Sequence, residues 1–329
     1  SVLSIVAPAY NEAAGLRVFH DRVARAMAPL GVDWELVLVN DGSADGTLEA
    51  MRLLHAADPR VVVVNLSRNF GKEIALTAGL DHARGQAAVV IDSDLQDPPE
   101  LIPELVAKWR EGYDTVFARR RRRAGESWAK RATARAFYAL MRRVGHVRLP
   151  PDTGDFRLVS RRVLDALAQV REHHRFMKGL FAWVGFPSAC VLYDRAPRHA
   201  GRTTWNYWKL WNFALEGITS GSVMPLKMAT YLGLGTAALA AVYLIEVVVK
   251  RLIYGNEVAG YPSLMATVLF LGGAQLTALC VIGEYLGRVF NETKRRPLYF
   301  VERVLGPEDA EPASARRQQA TIATSPPAA

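Results

Sequence analysis

The sequence predicts an α/β domain on a doubly wound, mostly parallel sheet, followed by interfacial helices and two transmembrane helices. Three observations predict it. Short apolar runs alternate with amphipathic stretches through the first 118 residues, polar residues gather just after each run, and two long apolar runs lie toward the C terminus. Strand and helix in alternation build a parallel sheet with helices on both faces. A run of ~20 apolar residues has the length of a membrane crossing.

Residues 2–7, 35–39, 61–65, 87–91 and 115–118 are rich in Val, Leu, Ile and Ala and read as buried strands. The first of them lacks a basic leading region and a long apolar core, so it reads as a strand and not as a signal peptide. Between the strands, residues 12–29, 45–57, 71–83 and 99–110 have helical length and apolar spacing, with Pro98 and Pro99 placed to open the last. Residues 204–222 carry Trp205, Tyr207, Trp208, Trp211 and Phe213 among polar side chains, the pattern of a helix lying at a membrane surface. Between Lys227 and Lys250 lie 22 residues with one charge, Glu246, and between Pro262 and Glu284 lie 21 with none. Lys209 and Lys227 precede the first run and Arg288, Lys294, Arg295 and Arg296 follow the second, which predicts a multi-pass inner-membrane protein with its N-terminal domain and both ends in the cytoplasm. After Gly306 a tail rich in Ala, Pro, Ser and Gln predicts disorder. The resulting division is a soluble domain at 1–200, interfacial helices at 201–224, two spans at 225–290 and a cytosolic segment at 291–329.

Composition narrows the function classes. Of 329 residues, 50% are hydrophobic and 22% charged, which excludes a disordered or collagen-like chain. Cys190 and Cys280 form neither a disulfide framework nor a zinc spacing, and His173, His174 and His199 have no carboxylate or thiol partners at ligand spacing. The net charge is +9, yet residues 119–148 alone hold eleven Lys or Arg against one acid, Glu126. That block suits a phosphorylated substrate or an anionic lipid surface, each basic residue there contributing ~1 kcal/mol of membrane attraction. Its core, Arg119, Arg120, Arg121, Arg122 and Arg123, has no interleaved aromatics, which speaks against nucleic acid as a partner. Asn65 and Asn291 head glycosylation patterns that a cytosolic location voids.

Ligands of parallel sheets bind beyond the carboxyl ends of the strands. Here those ends read Pro8, Ala9, Tyr10, Asn11 and Glu12; then Asn40, Asp41, Gly42 and Ser43; then Ser67, Arg68 and Asn69; then Asp92, Ser93, Asp94, Leu95, Gln96 and Asp97. Acidic groups gathered at one sheet edge call for a cation, and Asp92, Asp94 and Gln96 offer oxygen ligands to Mg²⁺ or Mn²⁺. Asp45 and Asp97 read as turn or helix caps.

These motifs, with the run Asp152, Thr153, Gly154, Asp155, Phe156 and Arg157 and two C-terminal spans, resemble the family 2 glycosyltransferases of GT-A fold. More narrowly, they resemble the polyprenyl-phosphate group that includes bactoprenol glucosyltransferases and dolichol-phosphate mannosyltransferases, over about residues 1–300. The resemblance implies that Pro8, Tyr10, Asn11, Glu12 and Asp41 contact the donor nucleoside, and that Asp92, Asp94 and Gln96 hold nucleotide and metal. It implies acceptor-phosphate contacts from Arg119, Arg131, Arg135, Arg157, Arg198 and Arg202, with Thr204 standing where the family has Lys. Asp155 matches the position proposed as catalytic base, with a carboxylate paired to Arg157 as the structural alternative.

The implied reaction transfers a sugar, glucose from UDP-glucose, to undecaprenyl or another polyprenyl phosphate with inversion, in a metal-dependent homo-oligomer such as a tetramer. A GDP-mannose-dependent synthase is the alternative within the class, and a membrane-tethered nucleotide-binding scaffold the alternative outside it. An acceptor monophosphate is largely dianionic at neutral pH, so attack on the anomeric carbon relies on positioning and electrostatics more than on a strong base.

Overall fold

The computed structural model describes residues 2–120, 153–173, 175–193, 224–254 and 260–306. Among these, eight strands form one sheet of order β7-β5-β6-β4-β1-β2-β3-β8. The strands are β1 Leu3–Ala9, β2 Trp34–Asn40, β3 Val61–Leu66, β4 Ala87–Val90, β5 Thr115–Arg120, β6 Thr153–Ser160, β7 Ser188–Tyr193 and β8 Val301–Leu305. Strands β1, β2, β3 and β4 run parallel, as their spacing by helices requires, and each of the five strands expected from sequence is present. Three more complete the sheet. β6 inserts antiparallel between β4 and β5, β7 pairs parallel with β5, and β8 lies antiparallel on β3.

Helices α1 (Leu16–Met27), α2 (Thr47–Ala57), α3 (Lys72–His82) and α4 (Ile102–Arg110) connect the parallel strands, and α5 (Arg161–Leu167) and α6 (Met177–Trp183) follow β6. Alternate strand residues feed two cores. Leu3, Ile5, Ala7, Leu36, Leu38, Val61, Val63 and Val89 join Phe19, Val23, Met27, Met51 and Ile102 on one face. Val6, Val37, Val39, Val62, Val64 and Val90 join Leu76, Leu80, Val163 and Phe181 on the other. This period of two, buried on both sides, explains why the strands read as unbroken apolar runs.

Helix α3 packs tightly on the sheet at Gly79, which has no side chain. A Cβ there would come within 2.4 Å of a Val6 methyl and 2.9 Å of a Val39 methyl. At the opposite end of the sheet from the loops discussed below, Glu35 is buried and accepts from the Ser4 hydroxyl at 2.6 Å, from the Arg84 backbone N–H at 2.7 Å and from its guanidinium at 2.8 Å.

A second unit comprises the long helices α7 (Met224–Tyr254) and α8 (Tyr261–Thr293), which pack on one another. Among the described residues one segment, Phe270–Thr293, is long and apolar enough to cross a membrane, and the apolar stretch identified in α7, Ala229–Ala240, is shorter. The α8 segment begins later than the expected run at 263–283 and carries Glu284, Arg288 and Glu292, with Glu284 accepting from Arg288 one turn on. The expected interfacial helix, most of the basic block and the tail beyond Gly306 lie outside the described residues.

Two stability outcomes follow. Replacing Gly79 with Val overpacks the α3–sheet contact and is expected to lower stability by about 1–3 kcal/mol, read as a lower denaturant midpoint. The Arg60 guanidinium, its backbone N–H and His20 hold the Asp58 carboxyl far below the usual carboxylate range against the opposing effect of burial. That stabilisation is complete above the unfolded-state value of about 3.9 and is lost as pH falls through the depressed folded value, so Asp58→Asn is expected to flatten the acid limb of a stability–pH curve.

Candidate active site

The carboxyl ends of β1, β2 and β4 and the start of α3 surround a cleft of about 270 Å³. Pro8, Tyr10 and Glu12 come from the loop after β1, Asp41 from the loop after β2, Lys72 from the first turn of α3, and Asp92 and Asp94 from the loop after β4. Each sits where a parallel strand ends, which is why residues far apart in sequence share one wall.

Backbone-directed hydrogen bonds lock these loops together. Ser93 donates to the Pro8 carbonyl at 3.0 Å, joining the first and fourth loops. Asn11, in the left-handed region at φ 57°, donates its N–H to the Ser43 hydroxyl at 3.1 Å and accepts from the Ala44 N–H at 3.0 Å. Gly42 also has positive φ, 62°, and its missing Cβ leaves room for the Arg68 and Asn69 backbone, which would stand 2.4 Å away. No other residue meets both conditions without strain. Asp41, expected at the nucleoside, is buried and accepts from the Phe70 N–H at 2.7 Å and the Gly71 N–H at 3.0 Å. Its carboxylate therefore braces the turn that leads into Lys72. Burial nonetheless pushes its carboxyl above the usual range, since it outweighs those two bonds and Arg68.

Asp155 reaches the same place from β6. In the antiparallel β4–β6 ladder Arg157 faces Val90, which ends β4, and Asp155 lies two residues earlier on β6. The Lys72 ammonium bridges them, 2.7 Å from Asp92 Oδ1 and 2.6 Å from Asp155 Oδ2, and Lys178 lies 3.6 Å from Asp155 Oδ1. Burial raises the Asp155 carboxyl, but Lys72, Lys178 and Arg157 together outweigh it and hold Asp155 below the usual carboxylate range. Asp92 goes the other way: burial lifts its carboxyl more than Lys72 lowers it, with Asp155 adding to the rise. Glu12 is also raised, by burial and then by Asp94, Asp45 and Asp92, which records the negative potential of this edge.

The ion pairs of Asp155 are to Lys72 and Lys178, and the structural alternative of a pair with Arg157 is not the arrangement found. Arg157 is buried, donates to the backbone carbonyls of Asp155 at 3.2 Å and Gly154 at 2.9 Å, and stacks 4.3 Å over the Phe181 ring. Its guanidinium is thus engaged by backbone carbonyls and an aromatic ring of the interior. Arg119 lies on β5 opposite Thr153 and Leu192. Arg131, Arg135, Arg198 and Arg202 lie outside the described residues. Asp45 makes the expected turn, accepting from the Thr47 N–H at 2.9 Å just before α2, whose N-cap is Gly46. Asp97 does not: it is buried and accepts from the Tyr193 hydroxyl at 2.6 Å. Lys72 and Lys178 were not singled out by sequence reasoning. Lys72 had a readable signal, since it directly follows the polar end of the third strand.

Among the described residues no three His, Cys, Asp or Glu side chains converge as a closed metal cage. Asp94 accepts from the Gln96 N–H at 3.0 Å and is exposed, and the ligands that Asp92, Asp94 and the Gln96 amide would offer are oxygens only. Such a set fits a hard divalent cation whose remaining coordination comes from phosphate oxygens and water.

The chain matches known proteins over most of its length. A family model described as Glycosyl transferase family 2 matches residues 4–168. A glycosyltransferase of Synechocystis sp. is 54% identical over 306 residues, 93% of this chain and 96% of that protein. The prophage bactoprenol glucosyl transferase homolog of Escherichia coli K12 is 46% identical, covering 92% of this chain and 99% of that protein. The bactoprenol glucosyl transferase of Shigella phage SfV is 45% identical, covering 91% and 98%. With an α/β sheet whose strand ends carry the acidic motifs, and with relatives of this identity along nearly the full chain, the protein belongs to glycosyl transferase family 2.

Proposed function

We propose that this glycosyltransferase moves glucose from UDP-glucose to undecaprenyl phosphate or another polyprenyl phosphate, with inversion, at the cytoplasmic leaflet. The observation that carries the reading is the cleft in which Lys72 joins Asp92 on the donor side to Asp155 on β6. The glucosyl donor and lipid acceptor are supported by the relatives named bactoprenol glucosyl transferase, which align over almost their whole length.

In this reading Pro8, Tyr10, Asn11 and Glu12 receive the nucleoside, and Asp41 acts from behind by holding the Phe70–Gly71 backbone. Asp92, Asp94 and Gln96 would hold Mg²⁺ or Mn²⁺, which supplies neutralising charge for the departing diphosphate. Asp155, kept ionised by two lysines, is a weak base. That suits a reaction whose nucleophile, a phosphate with a second pKa of about 6, is already charged. Asp155 instead fixes Lys72 and Lys178 where the acceptor or sugar arrives. Acceptor-phosphate contacts then fall to Arg119, Arg131, Arg135, Arg198 and Arg202, and Arg157 supports Asp155 through its backbone.

The reading includes two membrane crossings, and strand β8 supports it. Residues before α7 and after α8 belong to one hydrogen-bonded sheet, so the chain between them crosses any membrane an even number of times. If Phe270–Thr293 crosses, α7 is the natural return, since its 31 residues at about 1.5 Å each exceed the ~30 Å hydrocarbon layer.

Three outcomes are expected. Full-length protein in detergent, given undecaprenyl phosphate, Mg²⁺ or Mn²⁺ and a panel of UDP- and GDP-sugars, is expected to form a lipid-phosphate-hexose from UDP-glucose, read by mass spectrometry; product from GDP-mannose alone would replace the donor assignment. Asp155→Asn is expected to cut turnover by at least ~10²-fold while UDP binding by calorimetry stays intact. Lys72→Met, which strips Asp92 of its ammonium partner and leaves Asp155 with Lys178 alone, is expected to lose turnover on a similar scale, ~10²-fold.

A further inference from the structure

A line of side-chain hydrogen bonds runs from the strand that follows the two long helices to the turn beside the cleft. Glu302 on β8 accepts from the Asn65 Nδ2 amide on β3 at 2.7 Å. The Asn65 Oδ1 accepts from Asn40 Nδ2 on β2 at 2.7 Å. The Asn40 Oδ1 accepts from the Ser43 backbone N–H at 3.3 Å. Ser43 in turn holds the Asn11 N–H through its hydroxyl. Asn65 and Asn40 are both buried, so neither amide can exchange these partners for bulk water.

The chemistry of the far end sets the direction of the whole line. A carboxylate only accepts, so the Asn65 NH₂ must face Glu302 and its carbonyl must face Asn40. The Asn40 NH₂ is then taken by Asn65, and its carbonyl is left for Ser43. Reversing the first bond would turn both amides and set the Asn40 NH₂ against the Ser43 N–H, donor against donor.

We propose that Glu302 is a positioning residue of the donor-binding turn, acting through Asn65 and Asn40 to hold the Ser43 N–H and with it the loop that carries Asn11. The proposal rests on reading the cleft as the nucleotide site. It makes a residue beyond the membrane-directed helices part of the donor specificity apparatus, although Glu302 touches no substrate.

The test uses the full-length protein in detergent and four variants, with two readouts: hydrogen exchange of the Ser43 amide and UDP affinity by calorimetry. Glu302→Gln keeps an acceptor oxygen and is expected to match wild type in both. Glu302→Lys presents donors to Asn65, and is expected to speed Ser43 exchange and weaken UDP binding by ~5-fold, the scale of one neutral hydrogen bond. Adding Asn65→Asp to Glu302→Lys places a carboxylate between the lysine and Asn40, which restores the Asn40 orientation and is expected to recover both readouts. Asn65→Leu breaks the line and is expected to behave as Glu302→Lys does. An edge strand that merely stabilises the sheet would predict no such recovery. Unchanged Ser43 exchange in Glu302→Lys overturns the relay, and faster exchange with unchanged UDP affinity overturns its role at the donor turn. Failure of the wild type to bind UDP would instead remove the nucleotide reading on which the proposal stands, a result distinguishable because Ser43 exchange is read without nucleotide.

Discussion

Carboxylates crowded at one end of a parallel sheet repel one another, and the Lys72 ammonium is the counter-charge on which the candidate site rests. Two unit charges 4 Å apart repel by about 4 kcal/mol at an effective dielectric of 20, a large share of the ~5–15 kcal/mol by which a domain is stable. Lys72 lies within 2.8 Å of both Asp92 and Asp155, so the repulsion becomes two attractions. Its placement is not left to a flexible side chain alone. Asp41 grips the backbone at Phe70 and Gly71 immediately before it, and Gly42 gives that backbone room to approach.

The same geometry separates the two acidic groups functionally. Asp92 is lifted by burial and Asp155 lowered by its lysines, although both contact the same Lys72 ammonium. A group held ionised keeps its electrostatic role without competing for the acceptor's proton, while a group lifted by its surroundings gains most from a cation placed against it. Neighbouring carboxylates are thus pushed in opposite directions by what surrounds them.

The parallel half of the sheet was legible because its signal is local. Residues such as Val61, Val62, Val63 and Val64 are buried on both faces and leave an apolar run with helical spacing on either side. The acidic loop after β4 was equally plain. Strands β6, β7 and β8 were not, because each is defined by partners far away in sequence. β7 alternates exposed and buried residues, and β8 is five residues on a sheet edge after two long helices. Arg157 was read as a phosphate contact because the resemblance places one in its motif; its burial follows from sitting mid-strand between Val90 and Phe117. Lys72 was missed because a lysine opening a helix resembles a solvated surface residue until β6 brings Asp155 to it.

The place of β8 in the sheet has a consequence for biosynthesis. β3 ends at Leu66 and its outer neighbour begins at Val301, so the β3 edge has no partner until the chain has been made through both helices. At ~5–20 residues per second, that interval lasts on the order of tens of seconds on the ribosome. An apolar strand with unpaired N–H and C=O groups is a template for wrong pairing throughout that time. The nearly finished sheet therefore waits with an open edge while both long helices are synthesised, and chains interrupted before β8 would be released with an adhesive strand exposed.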